Sequence, residues 1–232
     1  MERQDAHHPH VFDAIPTSLD RERVFKAAHV QPGTPDAAVL ERLCDEAEAI
    51  ARPKAITKLA YIDEKGTDFI VVDGIRFDSR ILRVNVDEVY RVVPYVATCG
   101  VELEEWSRGL NDMLEQYWAD VIKQMFVGQA VTALGSYARE DLGLGQSATM
   151  NPGSLPDWPL AQQKPLFDLL GDPTEAIGVT LTESFLMLPA KSVSGIHFPT
   201  DTDYRNCQLC PREDCPGRSS PYEPHLYEEK YQ

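Results

Sequence analysis

The sequence lacks long hydrophobic runs and is short of basic residues. No apolar stretch approaches the ~20 residues that a membrane-spanning helix needs, and the first residues contain no signal-peptide core. Lysine and arginine number 22 against 37 aspartates and glutamates, which gives a formal net charge of −15. Such an acidic surface repels both nucleic acids and anionic lipids. We therefore expect a soluble cytoplasmic protein that binds neither nucleic acid nor membrane.

The common catalytic motifs are also missing. There is no Gly-x-Ser-x-Gly elbow, no Walker loop and no Gly-x-Gly-x-x-Gly run, and Gly143-Leu144-Gly145 is too short to count as one. Ser192 and Ser194 lack an evident base, so the sequence assigns no catalytic residue. With 43% hydrophobic residues among 232, the chain can still bury a core.

Hydrophobic periodicity predicts two helical regions. The first begins at Pro35 and ends before Pro53, with apolar residues at helical spacing. The second covers residues 101–142. Some forty residues would span on the order of 60 Å, so we expect this helix to break at Gly109 or Gly128.

Strand signals lie on either side of the long helix. The pattern over residues 56–98 predicts several β-strands, with a hairpin turn at Asp73-Gly74 and a buried strand over 92–98. Further on, Asp157 is expected to cap a helix that ends near Leu170. Three later strands are expected to pair with one another, over residues 177–181, 185–188 and 193–198.

The segment from 150 to 198 has the composition of a binding site. Pro152-Gly153 predicts a turn, and small residues surround the later Ser-Val-Ser-Gly run. Small residues let a ligand approach the backbone, and serine hydroxyls supply hydrogen bonds. Glu183 stands at a predicted turn, where it either accepts hydrogen bonds from a ligand amine or ribose or is simply solvated.

The same segment resembles a known family. The resemblance rests on Leu181-Thr182-Glu183-Ser184, Met187, Pro189, Ser192-Val193-Ser194-Gly195, Pro152-Gly153 and Leu169-Leu170. These residues resemble the activation domain of cobalamin-dependent methionine synthase, over 145–204 and also over 67–140. The resemblance implies an α+β fold, a twisted antiparallel sheet with long flanking helices. It also implies binding of S-adenosylmethionine and re-methylation of a corrinoid that has slipped to Co(II), with an electron from a reduced partner protein.

The resemblance also implies where a ligand would bind. Carried over position by position, the family's pocket falls on Pro152, Gly153, Glu183, Ser192, Val193, Ser194, Gly195 and Tyr204. Thr149 and Ser154 stand where the family carries an arginine and a tyrosine, so S-adenosylmethionine binding stays open. The chain then divides into an N-terminal arm and helix (1–55), an activation-domain-like α+β domain (56–204) and a Cys-rich tail (205–232).

The tail carries a second chemical signal. Cys207-x-x-Cys210-x4-Cys215 gathers three of the five cysteines into one short segment. In a cytosolic protein this density favours a metal or cluster over disulfides, with unligated thiols or an adventitious disulfide as the alternatives. Three thiolates need a fourth ligand for either a [4Fe–4S] cubane or zinc.

Cys99 is the first candidate for that fourth ligand, because it ends a predicted strand beside a glycine. His197 and His225 are alternatives that would favour zinc. Arg218 is expected to donate a hydrogen bond to a cluster sulfur.

Together these signals lead to one interpretation and two alternatives. The first is a stand-alone protein that supports reductive reactivation of a corrinoid-dependent methyltransferase such as methionine synthase, with its own iron–sulfur cluster or a separate electron-donor protein. The second is a non-catalytic corrinoid- or partner-binding module with a structural zinc. The third is an S-adenosylmethionine-binding protein that uses residues other than the lost arginine. The metal, the partner and the oligomeric state stay open.

Overall fold

The computed structural model describes residues 8–212, 214, 215 and 217–232, so residues 1–7 of the predicted N-terminal arm lie outside it. Its strands are β1 (His10–Phe12), β2 (Lys54–Thr57), β3 (Ala60–Lys65), β4 (Phe69–Val72), β5 (Ile75–Asp78), β6 (Arg91–Thr98), β7 (Ser147–Met150), β8 (Thr180–Leu181), β9 (Met187–Leu188) and β10 (Ser192–Pro199). Its α-helices are α1 (Arg21–Ala28), α2 (Pro35–Ile50), α3 (Arg80–Asn85), α4 (Val101–Arg108), α5 (Met113–Glu140), α6 (Gln163–Leu170), α7 (Pro173–Ile177) and α8 (Leu226–Lys230).

Strand β6 is the centre of an antiparallel sheet. One edge of β6 pairs first with β2 and then with β3 in the same register, and its other edge pairs with β10. The far edge of β10 takes β7, while β1 extends the sheet beyond β2. Strands β3, β4 and β5 form a meander that bends away through a register shift. The predicted α+β fold with an antiparallel sheet is confirmed.

Side chains of β6 alternate between the two faces of the sheet, as the pleat of a strand dictates. Tyr95 and Ala97 pack against the α5 residues Ala130 and Leu134. Val96 points the other way and packs against α6 and α7. The sheet is therefore a layer between helices, and all of β6 except its first residue is buried.

The two predicted helical regions are confirmed, and their ends have local causes. Thr34 accepts a hydrogen bond from the Ala37 N–H and caps α2, which ends at Ile50. The long pattern breaks after Gly109, because Asp112 accepts two backbone N–H groups and starts α5 as a separate helix. Gly128 remains inside α5 without a break.

Asp157 does not cap the helix that the sequence predicts. Its carboxylate accepts hydrogen bonds from the backbone N–H groups of Arg80 and Ile81, both at 3.1 Å, and from the Ser79 hydroxyl. From a distant part of the chain it therefore adds to the N-cap of α3, which is Ser79, whose hydroxyl accepts from the Leu82 N–H. Helix α6 begins at Gln163, after a 3₁₀ turn. Its predicted end at Leu170 is confirmed.

The prediction for the three later strands was partly wrong. Residues 173–177 form helix α7, and β8 pairs only with β9 in a two-stranded ribbon. Strand β10 pairs instead with β6 and β7, because its apolar residues Ile196 and Phe198 complete the central core.

The predicted N-terminal arm and helix (1–55) and the predicted tail (205–232) each contact the sheet or its core. Strand β1 of the arm joins the sheet, and Tyr231 near the end of the tail is 1% exposed in the same core cluster as Ala60. Among the described residues, no helix has both the length and the apolar character that crossing a bilayer requires.

We predict that Asp157→Ala destabilises the fold by about 1 to 2 kcal/mol, because the Arg80 and Ile81 N–H groups at the start of α3 lose their acceptor. Chemical denaturation measures the change. The matched control is Asp168→Ala, which removes only an exposed ion pair with Lys164 and should cost less than about 1 kcal/mol. Equal effects of the two substitutions would contradict the capping role.

Candidate functional site

The turn formed by residues 151–154 separates two cavities. The first, which we call the serine cavity, measures about 520 Å³ and is lined by Asn151, Pro152, Ser154, Leu160, Gln163, Thr182, Leu186, Met187, Leu188, Ala190, Ser192, Val193 and Ser194. The second, which we call the cysteine cavity, measures about 760 Å³. Asn151 and Ser154 belong to both walls.

The cysteine cavity lies between the end of α5, strand β7 and the tail. It is lined by Gly135, Arg139, Ser147, Ala148, Thr149, Asn151, Gly153, Ser154, His197, Asp203, Tyr204, Arg205, Asn206, Cys207, Cys210, Arg212, Cys215, Gly217 and Ser219. The three tail cysteines therefore share one cavity with the turn.

A polar network centred on Asn151 fixes the turn. The Asn151 amide donates to the Tyr95 hydroxyl at 2.9 Å and to the Ser194 carbonyl at 2.7 Å. Tyr95 in turn lies 3.2 Å from the Thr149 hydroxyl. Burial raises the pKa of Tyr95, so the phenol stays protonated and can serve as both donor and acceptor. The network joins β6, β7, β10 and the turn.

The predicted serines line the serine cavity, but their hydroxyls already have partners. Ser192 Oγ donates to the Pro189 carbonyl at 2.8 Å and lies 2.9 Å from Thr98 Oγ1, from which it can accept. Ser194 is buried and donates to Gln163 Oε1 at 3.2 Å. Val193 and Pro152 line the same cavity. These serines shape the wall, and none is activated as a nucleophile.

Glu183 and Gly195 line neither cavity. Glu183 is exposed in the turn between β8 and β9. A Cβ on Gly195 would lie 2.5 Å from the Met150 carbonyl oxygen and 2.6 Å from Asn151 Nδ2. Glycine is therefore required there so that β10 can approach β7 and the turn.

Gly153 and Tyr204 line the cysteine cavity, as do Thr149 and Ser154. Gly153 has φ +82, a conformation that side chains rarely adopt. Tyr204 is buried and donates to Asn206 Oδ1 at 2.8 Å. The residues predicted as one pocket are thus divided between two cavities.

Arg218 closes the cysteine-bearing loop through backbone carbonyls. Its guanidinium donates to the carbonyl oxygens of Cys207, Cys210, Arg212 and Ser220. The predicted hydrogen bond to a sulfur comes instead from Ser219, whose N–H and hydroxyl donate to Cys207 Sγ at 3.4 and 3.5 Å. The Ser219 hydroxyl hydrogen bond lowers the pKa of Cys207.

The structure does not bring Cys99 to the tail cysteines. Cys99 is fully buried in a core cluster formed with α2, α4 and α5, and burial raises its pKa to about 12. His197, one of the alternative ligands, does line the cysteine cavity. His225, the other, precedes α8 and lines neither cavity. Among the described residues, no three His, Cys, Asp or Glu side chains form a group that could hold a metal ion.

Sequence reasoning missed the residues that hold the turn. Tyr95 and Asn151 are hydrogen-bonded to each other at the turn, and Gln163 accepts from the Ser194 hydroxyl, yet none of the three belongs to a short motif. Tyr95 was visible as a hydroxyl inside an otherwise apolar strand, and that is the one signal from which the network could have been suspected. The cationic lining from Arg139 and Arg212 was missed too, because these residues are 73 positions apart in sequence.

Comparison with known proteins supports the resemblance. Residues 149–215 match the family described as "Vitamin B12 dependent methionine synthase, activation domain". A crystal structure of the MetH reactivation domain bound to AdoHcy superposes with a TM-score of 0.62 at 16% identity, covering 88% of this chain and 85% of that one. The fold is therefore that of the MetH reactivation domain. No curated protein matches the chain.

We predict that Gly195→Ala destabilises the protein by about 1 to 3 kcal/mol or more, because the new methyl meets the Met150 carbonyl oxygen and the hydrogen-bonded side chains of Asn151 and Tyr95. Gly128→Ala is the control, since a Cβ there meets nothing within 4 Å. In the helix interior this control should stabilise by up to about 1 kcal/mol. Thermal unfolding distinguishes the two, and a harmless Gly195→Ala would refute the close packing.

A second prediction concerns thiol reactivity in the metal-free protein. Cys207 should alkylate faster at neutral pH than Cys44 or Cys99, because burial raises the pKa of those two thiols to about 11 and about 12. Mass spectrometry after timed iodoacetamide treatment gives the order. Ser219→Ala should slow the reaction of Cys207, whereas Ser219→Thr, which keeps the hydroxyl, should not. Faster labelling of Cys99 than Cys207 would contradict this reading.

Proposed function

We propose that the protein acts in trans to reactivate a cobalamin-dependent methyltransferase such as methionine synthase. The observation that carries this proposal is the family match over residues 149–215, which contains the turn, all the residues that line the serine cavity and all three tail cysteines. The fold shared with the MetH reactivation domain supports it as well.

Charge and exposure favour docking at this part of the molecule. Arg139, Arg205 and Arg212 line the cysteine cavity beside one carboxylate, Asp203, in a protein of net charge −15. Leu186 lines the serine cavity and is 55% exposed. An exposed apolar side chain next to a polar cavity suits contact with a large, partly apolar macrocycle on another protein.

The proposed chemistry needs one electron and one methyl group. A low-potential one-electron donor reduces Co(II) to Co(I), and the Co(I) electron pair then displaces the methyl group from the sulfonium of S-adenosylmethionine, leaving S-adenosylhomocysteine. This chain would hold the cobalt and the methyl donor together and exclude water. No side chain at the turn has to transfer a proton.

The tail cysteines support a finer proposal for the electron. Three thiols on one cavity wall are a donor set for an iron–sulfur cluster. A cluster here would carry the electron from a donor protein to the corrinoid.

A second candidate function is S-adenosylmethionine binding by itself. It is favoured by the AdoHcy bound to the similar reactivation domain and by the cavity that Gly153, Ser154 and Tyr204 line here. Thr149 stands on that wall in place of the family's arginine. The carboxylate of the ligand would therefore have to pair with a different cationic side chain. Calorimetric titration with S-adenosylhomocysteine separates this candidate from a purely partner-binding module.

The experiment that tests the proposed function uses a corrinoid methyltransferase trapped as Co(II). Adding the protein, S-adenosylmethionine and a reductant should restore turnover, and Cys210→Ser should restore less because the cluster loses a ligand. Cys44→Ser is the matched control, since Cys44 is buried in another core. No recovery with the wild-type protein would overturn the proposal. Equal recovery with Cys210→Ser would overturn only the cluster.

A further inference from the structure

The cysteine cavity offers three thiols, and a cubane cluster needs a fourth donor. Cys207, Cys210 and Cys215 all line the cavity. A cluster with three protein ligands leaves one iron open to solvent, unless a further side chain or a small ligand occupies it. The question is which residue on this wall can reach that position.

Cys99 is placed too far away to be that donor. It follows Thr98, which pairs with Ser192 at the start of β10. His197 lies five residues further along β10, where it pairs with Val93 on β6 and Thr149 on β7. At about 3.4 Å per residue, five residues separate the two positions by roughly 17 Å. Cys99 also packs among apolar side chains of another core cluster.

His197 has the burial and the unpaired ring nitrogen that are expected of a metal ligand in a metal-free structure. It lines the cysteine cavity with only 9% of its surface exposed, and its Nε2 is buried without a hydrogen-bond partner. Buried polar atoms in native proteins nearly always have a partner, so an orphaned imidazole nitrogen on the wall of the cavity that the three cysteines also line calls for one. The ring is held in place by Tyr95, whose centroid lies 4.7 Å away.

The charges around the cavity suit an anionic cluster. A cluster with thiolate ligands is negatively charged. Arg139, Arg205 and Arg212 line the cavity with the single carboxylate Asp203, so cations dominate its wall.

We infer that His197 is the fourth ligand of a [4Fe–4S] cluster held by Cys207, Cys210 and Cys215 in the cysteine cavity. The inference rests on the cluster of the proposed function and deepens it by replacing Cys99 with His197. A histidine ligand raises the reduction potential of an iron–sulfur centre relative to an all-cysteine one. The Ser219 hydrogen bonds to Cys207 Sγ act in the same direction.

The test is anaerobic reconstitution of the full chain with ferrous iron and sulfide, followed by iron analysis and pulsed EPR of the reduced cluster. The wild-type protein should hold ~4 iron and ~4 sulfide per chain. Its EPR signal should show strong coupling to one imidazole nitrogen. Cys99→Ser is the matched control and should retain both the iron content and the nitrogen coupling.

Two variants of His197 complete the design. His197→Gln should lose the nitrogen coupling together with part of its iron. His197→Cys should keep the full cluster, lose the nitrogen coupling and show a lower midpoint potential, which a merely structural role would not produce. Circular dichroism confirms that each variant is folded.

Several results would overturn the inference. They are a wild-type cluster without nitrogen coupling, an unchanged coupling in His197→Gln, and loss of the cluster in Cys99→Ser. Each of these leaves the cluster of the proposed function in place. A wild-type protein that takes up no iron removes both the cluster and this assignment, but the reactivation assay with a separate electron donor still tests the remaining function.

Discussion

The close approach of three strands and one turn at Gly195 is the contact on which the rest of the site depends. At that position β10 lies against the Met150 carbonyl, the Asn151 amide and the Tyr95 hydroxyl, all within 2.9 Å of where a side chain would begin. The approach lets one asparagine donate both to Tyr95 and to the backbone of β10. The turn is thereby fixed relative to the sheet, and so are the cavities on either side of it.

The two cavities beside this turn have walls of different chemistry. The serine cavity has neutral, satisfied hydroxyls and exposed leucines, which suit contact with an uncharged surface. The cysteine cavity combines thiols, a buried imidazole and arginines within an acidic protein, which suits a soft metal centre with negative charge. The proposed cluster and the proposed docking surface would then lie next to each other, on walls that share Asn151 and Ser154.

Local signals in the sequence predicted much of the fold. The helix start at Pro35, the Asp73-Gly74 turn and the break expected at Gly109 or Gly128 each depend on a few neighbouring residues, so periodicity and turn rules were sufficient. The role of Asp157 was missed because its partners lie more than 70 positions away. The partners of β10 were missed for the same reason, since strand pairing depends on register across the whole chain.

The site was predicted in composition but not in arrangement. Pro152, Ser192, Val193 and Ser194 line one cavity, while Gly153, Tyr204 and the tail cysteines line the other. Gly195 proved to be a packing requirement, because only the structure reveals which atoms a Cβ would meet. The choice between Cys99 and His197 likewise depends on the register of β6 and β10, which no spacing rule encodes.

The central claim is that this protein delivers an electron to a corrinoid on a partner protein. The most direct measurement mixes the chemically reduced, iron-loaded protein with a Co(II) methyltransferase and S-adenosylmethionine, and follows the Co(II) EPR signal in a single turnover. The account predicts that the signal disappears in proportion to the reduced cluster while methylcobalamin forms. An unchanged Co(II) signal, with the cluster still reduced, would contradict it.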